Sequence, residues 1–372
     1  MLMNCLIVLL CSISCLAEHG PRQPPEGLVI PEELAEDFYN HVHADDDDGK
    51  LHLGDPNTGE VSVSVWPPEQ LPFGQVAGIA VDSAGNVHVF HRGERVWDES
   101  SFDEKNVFQH QSDGPIVAPT HVMLDGVTGE VLATGGENTY YMPHGLSLDH
   151  EENVWLTDVA MHQVFKIPAG EDKPSLVLGE KFVPGSDHKH FCKPTDVAVA
   201  SNGEFFVGDG YCNSRIMKFA PDGTFLATFG KATAATLEPA APGTFQIPHS
   251  ITLVEHWNML CVADRENERI QCFTAGLTTA GRALPVGIPL KTASNLGRVF
   301  AIRAKDHCLY GVTNMGADTG GEIVNKIFKV DLRNGDAVTE APGLVNPHCI
   351  AVADDETVYV GEAGPNRILK IE

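Results

Sequence analysis

The chain has 372 residues, 42% of them hydrophobic, with 36 Gly and 24 Pro spread along its length; it can bury a sizeable core built from many short strands and tight turns. Its 25 Lys and Arg face 51 Asp and Glu, a formal net charge of −26, which excludes a basic surface for nucleic acid or anionic lipid. The acidity is read as solubility.

Residues 1–17 carry no charged side chain and hold the apolar run Leu6-Ile7-Val8-Leu9-Leu10, and Cys15-Leu16-Ala17 precedes Glu18 as a place for cleavage. The pattern predicts a secretory signal peptide, because the run is too short to span a bilayer. No later segment is expected to span one, so the protein should be secreted or lie in the secretory-vesicle lumen. Cys5, Cys11 and Cys15 would leave with the signal. Cys192, Cys212, Cys261, Cys272, Cys308 and Cys349 then remain as disulfide candidates, with their pairing open. Residues 18–70 are acidic, with Asp45-Asp46-Asp47-Asp48 at the centre, and read as a solvated N-terminal arm or pro-segment. Within them, Val61-Ser62-Val63-Ser64-Val65-Trp66 alternates and predicts a strand that closes the main body.

From Val76 onward one strand–turn–strand pattern recurs six times. The first strands are Gly78-Ile79-Ala80-Val81, Gly145-Leu146-Ser147-Leu148, Asp196-Val197-Ala198-Val199, Ser250-Ile251-Thr252-Leu253, a weaker Ala301-Ile302, and Cys349-Ile350-Ala351-Val352. Each is followed by a turn such as Ser83-Ala84-Gly85-Asn86 or Ser201-Asn202-Gly203 and then by two more short strands. Starts recur about every fifty residues, with a longer first interval. The runs have period two and are too short for helices, and a sandwich would not repeat one pattern six times. The expected fold is all-β: a six-bladed β-propeller over residues 71–372.

The position just before each first strand holds Ala77, His144, Thr195, His249, Phe300 and His348. Histidine thus falls in blades two, four and six, each time after a Pro. Alternate blades of a six-bladed ring lie about 120° apart, so equivalent positions converge on the central channel. Three imidazole nitrogens around an open position suit catalytic Zn²⁺. One histidine at a strand start is usually just a hydrogen-bonded loop residue; three at equivalent places favour the metal. The second strands end at His91-Arg92, Asp158-Val159, Asp209-Gly210-Tyr211, Asp264-Arg265, Asn314-Met315 and Glu362-Ala363. In antiparallel blades these ends crown the same rim, which offers Arg92, Tyr211 and Arg265 to the metal. The repeated Asp158, Asp209 and Asp264 are read as turn caps. Pairs Cys192–Cys212 and Cys261–Cys272 would staple loops beside Tyr211 and Arg265, with Cys308 and Cys349 left over.

The six units resemble NHL repeats. Phe90-His91-Arg92-Gly93, Met142-Pro143-His144-Gly145, Gly208-Asp209-Gly210-Tyr211-Cys212-Asn213-Ser214-Arg215 and Ala263-Asp264-Arg265-Glu266-Asn267 together resemble the peptidyl-α-hydroxyglycine α-amidating lyases, the lyase half of peptidylglycine α-amidating monooxygenase. The resemblance runs over residues 71–372. It implies cleavage of peptidyl-α-hydroxyglycine to an amidated peptide and glyoxylate, with His144, His249 and His348 as zinc ligands. It also implies Tyr211 as catalytic base and Arg92 and Arg265 as active-site arginines, without saying which arginine holds the substrate carboxylate. The expected form is a stand-alone lyase supplied by a separate monooxygenase. The family's structural Ca²⁺ would use the backbone carbonyls of Ile79 and Leu146 and an Asp after the third histidine. Here that position is Cys349, a poor partner for a hard cation, which argues against calcium. The competing readings are a calcium-dependent, lactonase-like propeller hydrolase and a non-catalytic NHL binding module; neither calls for three symmetric histidines.

Overall fold

The computed structural model describes residues 62–69, 71–234, 240–279, 282–283, 285–294, 296–314, 325–340 and 343–372. The expected signal peptide, the acidic arm as far as residue 61, and Met315 lie outside them. The described residues form six four-stranded antiparallel sheets. Their innermost strands are Val76–Val81, Pro143–Leu148, Asp196–Val199, Pro248–Val254, Val299–Lys305 and Pro347–Val352. Successive innermost strands touch, and the last touches the first, so the ring closes as a six-bladed propeller. Among the described residues, no helix is long and apolar enough to cross a membrane.

Three strands per unit were legible; the structure adds a fourth on the outside. These outer strands, such as Val131–Gly135 and Pro289–Ala293, are largely exposed, so no buried face imposes an alternation that a sequence reading could detect. In blade six the fourth strand comes from the other end of the chain. Val63–Trp66 pairs antiparallel with Arg367–Ile371, from Val63 opposite Ile371 to Trp66 opposite Ile368. The expected closing strand is therefore present, and the propeller body begins upstream of residue 71, inside the stretch assigned to the arm.

The core is a ring of six apolar clusters, one between each pair of neighbouring blades. Phe90, Tyr140, Leu146 and Leu156 fill the first interface, and Trp66, Ile79, Val89, Tyr359 and Ile368 fill the one that closes the ring. Each buried Leu, Ile or Phe contributes roughly 1.5–3 kcal/mol, so the sheets are held by side-chain packing between faces that share no hydrogen-bonded ladder. The long first interval is an insertion between the second and third strands of blade one, Val87–His91 and His121–Leu124. It is anchored by buried Phe108 and Ile116.

Candidate active site

The position before each innermost strand is built the same way. Pro143 pairs with Asp158, Pro248 with Asp264 and Pro347 with Glu362, and the register then shifts across His249 and His348 in blades four and six and across His144-Gly145 in blade two. His144, His249 and His348 thus sit in β-bulges, as do Ala77 and Phe300 in blades one and five. A bulge frees its residue from the ladder and re-aims it, here toward the axis.

The three imidazoles form a nearly equilateral triangle, with ring centroids 4.8, 4.9 and 5.0 Å apart, and their ligating nitrogens lie within 4.8 Å of one another. His144 Nδ1 lies 2.8 Å from the Thr195 carbonyl, His249 Nδ1 2.6 Å from that of Phe300, and His348 Nδ1 3.0 Å from that of Ala77. A carbonyl only accepts, so each Nδ1 carries the proton and each Nε2 keeps a lone pair. Blades one, three and five supply the oxygen that orients the imidazole of the preceding blade. Burial keeps all three rings neutral: it holds His144 and His249 well below the ordinary histidine value and His348 near 3, with the neighbouring cations or imidazoles adding to it. Three neutral, oriented imidazoles around one point fit Zn²⁺ in donor type and in number.

Tyr211 closes the mouth. Its hydroxyl lies 3.0 Å from Nε2 of His144 and 2.9 Å from Nε2 of His249. Burial raises its phenol above the ordinary value, while Arg265 and Arg92 pull it down. The Arg265 guanidinium lies 5.4 Å from the Tyr211 ring centroid and 4.8 Å from that of Phe300. Its Nε donates to Glu266 at 2.7 Å, and Arg298 shares that carboxylate at 2.6 Å. Arg92 differs. It is 3% exposed, donates to the Pro143 carbonyl at 2.9 Å and to Gln75 Oε1 at 2.7 Å, and leaves a buried Nη2 with no hydrogen-bond partner. No ion pair of Arg92 occurs among the described residues, and burial lowers it to about 10. Trp97 packs between Arg92 and Tyr211, 5.1 and 4.8 Å from them.

The structure therefore gathers the three histidines, Tyr211 and both arginines at one rim. Sequence reasoning missed Trp97, whose only signal was the length of the insertion that carries it. It also aligned Ala77, Thr195 and Phe300 with the histidines without seeing that their carbonyls matter. The second-strand carboxylates are structural, as expected. Asp158 accepts from the backbone N–H of Tyr141 and Met142, Asp209 from that of Cys192, and Asp264 from that of Gln246. Each pins the loop that enters its own blade. Both expected disulfides form: Cys192–Cys212 ties the entry loop of blade three to the residue after Tyr211, and Cys261–Cys272 bridges the hairpin whose tip carries Arg265. Cys308 and Cys349 are free thiols, and burial pushes Cys349 up to about 12. The triad shares a cavity of about 20 Å³ with Leu146, Cys349 and Arg303, the last of which the sequence gave no reason to single out. Ile79 is buried in its innermost strand but is not part of that lining.

Residues 191–219 match the NHL repeat family. The chain is 46% identical over 299 residues to the probable peptidyl-α-hydroxyglycine α-amidating lyase pgal-1 of Caenorhabditis elegans, covering 80% of this chain and 83% of that one. It is 43% identical to peptidyl-α-hydroxyglycine α-amidating lyase 2 of Drosophila melanogaster, covering 82% and 73%. It is 45% identical to peptidyl-glycine α-amidating monooxygenase A of Xenopus laevis, of which it covers 32% against 82% of its own length. A gluconolactonase of Xanthomonas campestris superposes with a TM-score of 0.50 at 10% identity over 81% of this chain and 86% of that one, a likeness of fold alone. With its extended similarity to the stand-alone lyases and its six-bladed frame, the chain belongs to the peptidyl-α-hydroxyglycine α-amidating lyases, and it is a lyase.

Proposed function

We propose that the chain binds Zn²⁺ through Nε2 of His144, His249 and His348 and splits peptidyl-α-hydroxyglycine into a C-terminally amidated peptide and glyoxylate, with Tyr211 as base. The observation that carries this reading is the alternation of roles at one bulge position: three imidazoles on the axis, each oriented by the carbonyl of the next blade, beneath one phenol. Bound there, Zn²⁺ would supply a Lewis acid that makes a nearby hydroxyl easier to deprotonate. Tyr211, as phenolate, takes the proton of the substrate hydroxyl. The electron pair left on that oxygen forms the aldehyde, the carbon–nitrogen bond breaks, and the amide nitrogen leaves with its pair. Return of the proton from Tyr211 to that nitrogen balances the step with no other reactant. Arg265 stands over the Tyr211 ring, where its charge favours the phenolate.

Arg92 is the better candidate for the substrate carboxylate. Its Nη2 is a buried donor with nothing to donate to, whereas Arg265 is already paired with Glu266. Buried guanidinium groups hold carboxylates strongly because the bond is charge-assisted. The Cys192–Cys212 and Cys261–Cys272 disulfides suit an oxidising lumen or the outside of the cell, where a separate monooxygenase would deliver the hydroxylated peptide. Incubating the purified protein with an α-hydroxyglycine-extended peptide should release glyoxylate, and metal analysis should find about one zinc per chain. Absence of either from undamaged protein would sink the proposal.

A further inference from the structure

The structural Ca²⁺ that the resemblance implies would sit beneath the triad, and the groups present there do not suit it. The space is already organised around Arg303, from the innermost strand of blade five. Its Nη1 donates to Asp196 Oδ2 at 2.9 Å, to Ser250 Oγ at 3.1 Å and to the Ile302 carbonyl at 2.8 Å. Its Nη2 donates to the Leu146 carbonyl at 3.2 Å and lies 3.4 Å from Asp196 Oδ1. One guanidinium thus joins blades two, three, four and five. The Leu146 carbonyl, one of the two that calcium would need, already faces a cation.

Calcium takes six to eight oxygen ligands at about 2.3–2.6 Å. Asp196 is the carboxylate within reach, and besides Arg303 it accepts from Ser250 Oγ at 2.9 Å and from the Ile251 N–H at 3.1 Å. Blade six contributes Cys349, a sulfur ligand of the soft kind, in place of a carboxylate. Adding a divalent cation would set two more positive charges beside Arg303 with no new negative charge to meet them. The Arg303–Asp196 pair is mostly buried, at 19% and 4% side-chain exposure, and both terminal nitrogens and both carboxylate oxygens have hydrogen-bond partners, which is the condition under which a buried ion pair is tolerated.

We infer that Arg303 is the resident cation of the channel: a covalently attached guanidinium ties the innermost strands together, and the channel takes up no calcium. This does not depend on what the histidines hold, and its test reads no turnover. Wild-type protein with its metal content intact is equilibrated with millimolar CaCl₂, desalted and analysed for metals, and its melting temperature is followed as CaCl₂ is added. The expected result is no retained calcium and no change in melting temperature; one calcium per chain, or a saturable rise in melting temperature, overturns the inference. Arg303→Met leaves Asp196 without its cation and should melt on the order of 10 °C lower, while wild-type-like melting in that variant would remove Arg303 from its tying role. If Arg303→Met does not fold, the two calcium measurements on wild type still decide.

Discussion

The axial triad can be set against a second histidine cluster inside blade one. His88 and His121 lie on neighbouring strands with Nδ1 of one 3.1 Å from Nε2 of the other. Both clusters are kept neutral by burial, and His121 is held near 3 with His88 adding to the effect. Yet the blade-one pair spends its facing nitrogens on each other, one donating and one accepting, and the second ring nitrogen of His88 faces Asp82 at 3.5 Å. The triad spends its Nδ1 atoms on carbonyls of the next blade, which leaves three lone pairs aimed at one point. Burial and a lowered pKa do not make a metal site. The proposed zinc rests instead on the convergence of three Nε2 lone pairs on one point, two of them facing the Tyr211 hydroxyl.

The sharpest way to break this comparison is to remove one member of the triad. His249→Ala should lose bound zinc and lower glyoxylate release by more than about a hundredfold, above the 10- to 100-fold usual for outer partners of a metal ligand; retained zinc and turnover would place the metal elsewhere. Tyr211→Phe should keep its zinc and lose about 10²- to 10⁴-fold in kcat, so near-normal turnover would take the base role from Tyr211. Phe300→Leu tests the other half of the alternation. The His249 partner is a backbone carbonyl that survives the change, so zinc content should hold and turnover should fall less than about tenfold. The smallest effect belongs to blade one. His121 in the folded protein titrates near 3, against an unfolded value near 6.5, so the unfolded chain binds the extra proton first as pH falls. Stability should be full above about pH 6.5 and decline toward pH 3, by at most about 1.4 kcal/mol per pH unit for each such histidine. His91 and His162, both held near 4 by burial, add in the same direction. His121→Gln should flatten the melting temperature against pH without changing zinc content; an unchanged slope would mean that the pair does not carry it.

What was legible in the sequence followed from repetition. Six copies of one pattern give the blades, and comparing copies exposes His144, His249 and His348 because a repeat makes an exception visible. Tyr211 and Arg92 were legible because they fall just past the second strands, whose ends Val87–His91 and Phe205–Asp209 place at the rim that carries the histidines. The rest was hidden for physical reasons. A carbonyl acceptor such as that of Thr195 leaves no trace in residue identity, because every residue has one. Arg303 acts across four blades from a position that looks like any solvent-facing residue of a strand. Trp97 sits in an insertion with no counterpart in the other units. Outer strands such as Val131–Gly135 and Pro289–Ala293 are largely exposed, and without a buried face the code of alternation disappears.

The pairing of Val63–Trp66 with Arg367–Ile371 also sets an order of events in synthesis. Val63–Trp66 must wait for Arg367–Ile371, made some three hundred residues later, and among the described sheet pairings bringing such distant segments together carries the largest loop-closure entropy. Until residues 358–371 have left the ribosome, the apolar faces of Ile79 and Val89 in blade one lack Ile368 and Tyr359, their partners across the last seam. The unfinished chain is therefore an open ring with two uncovered sheet faces. Assisted folding should matter most in that interval, and deleting Val63–Trp66 or Arg367–Ile371 should cost far more than the few residues removed would suggest.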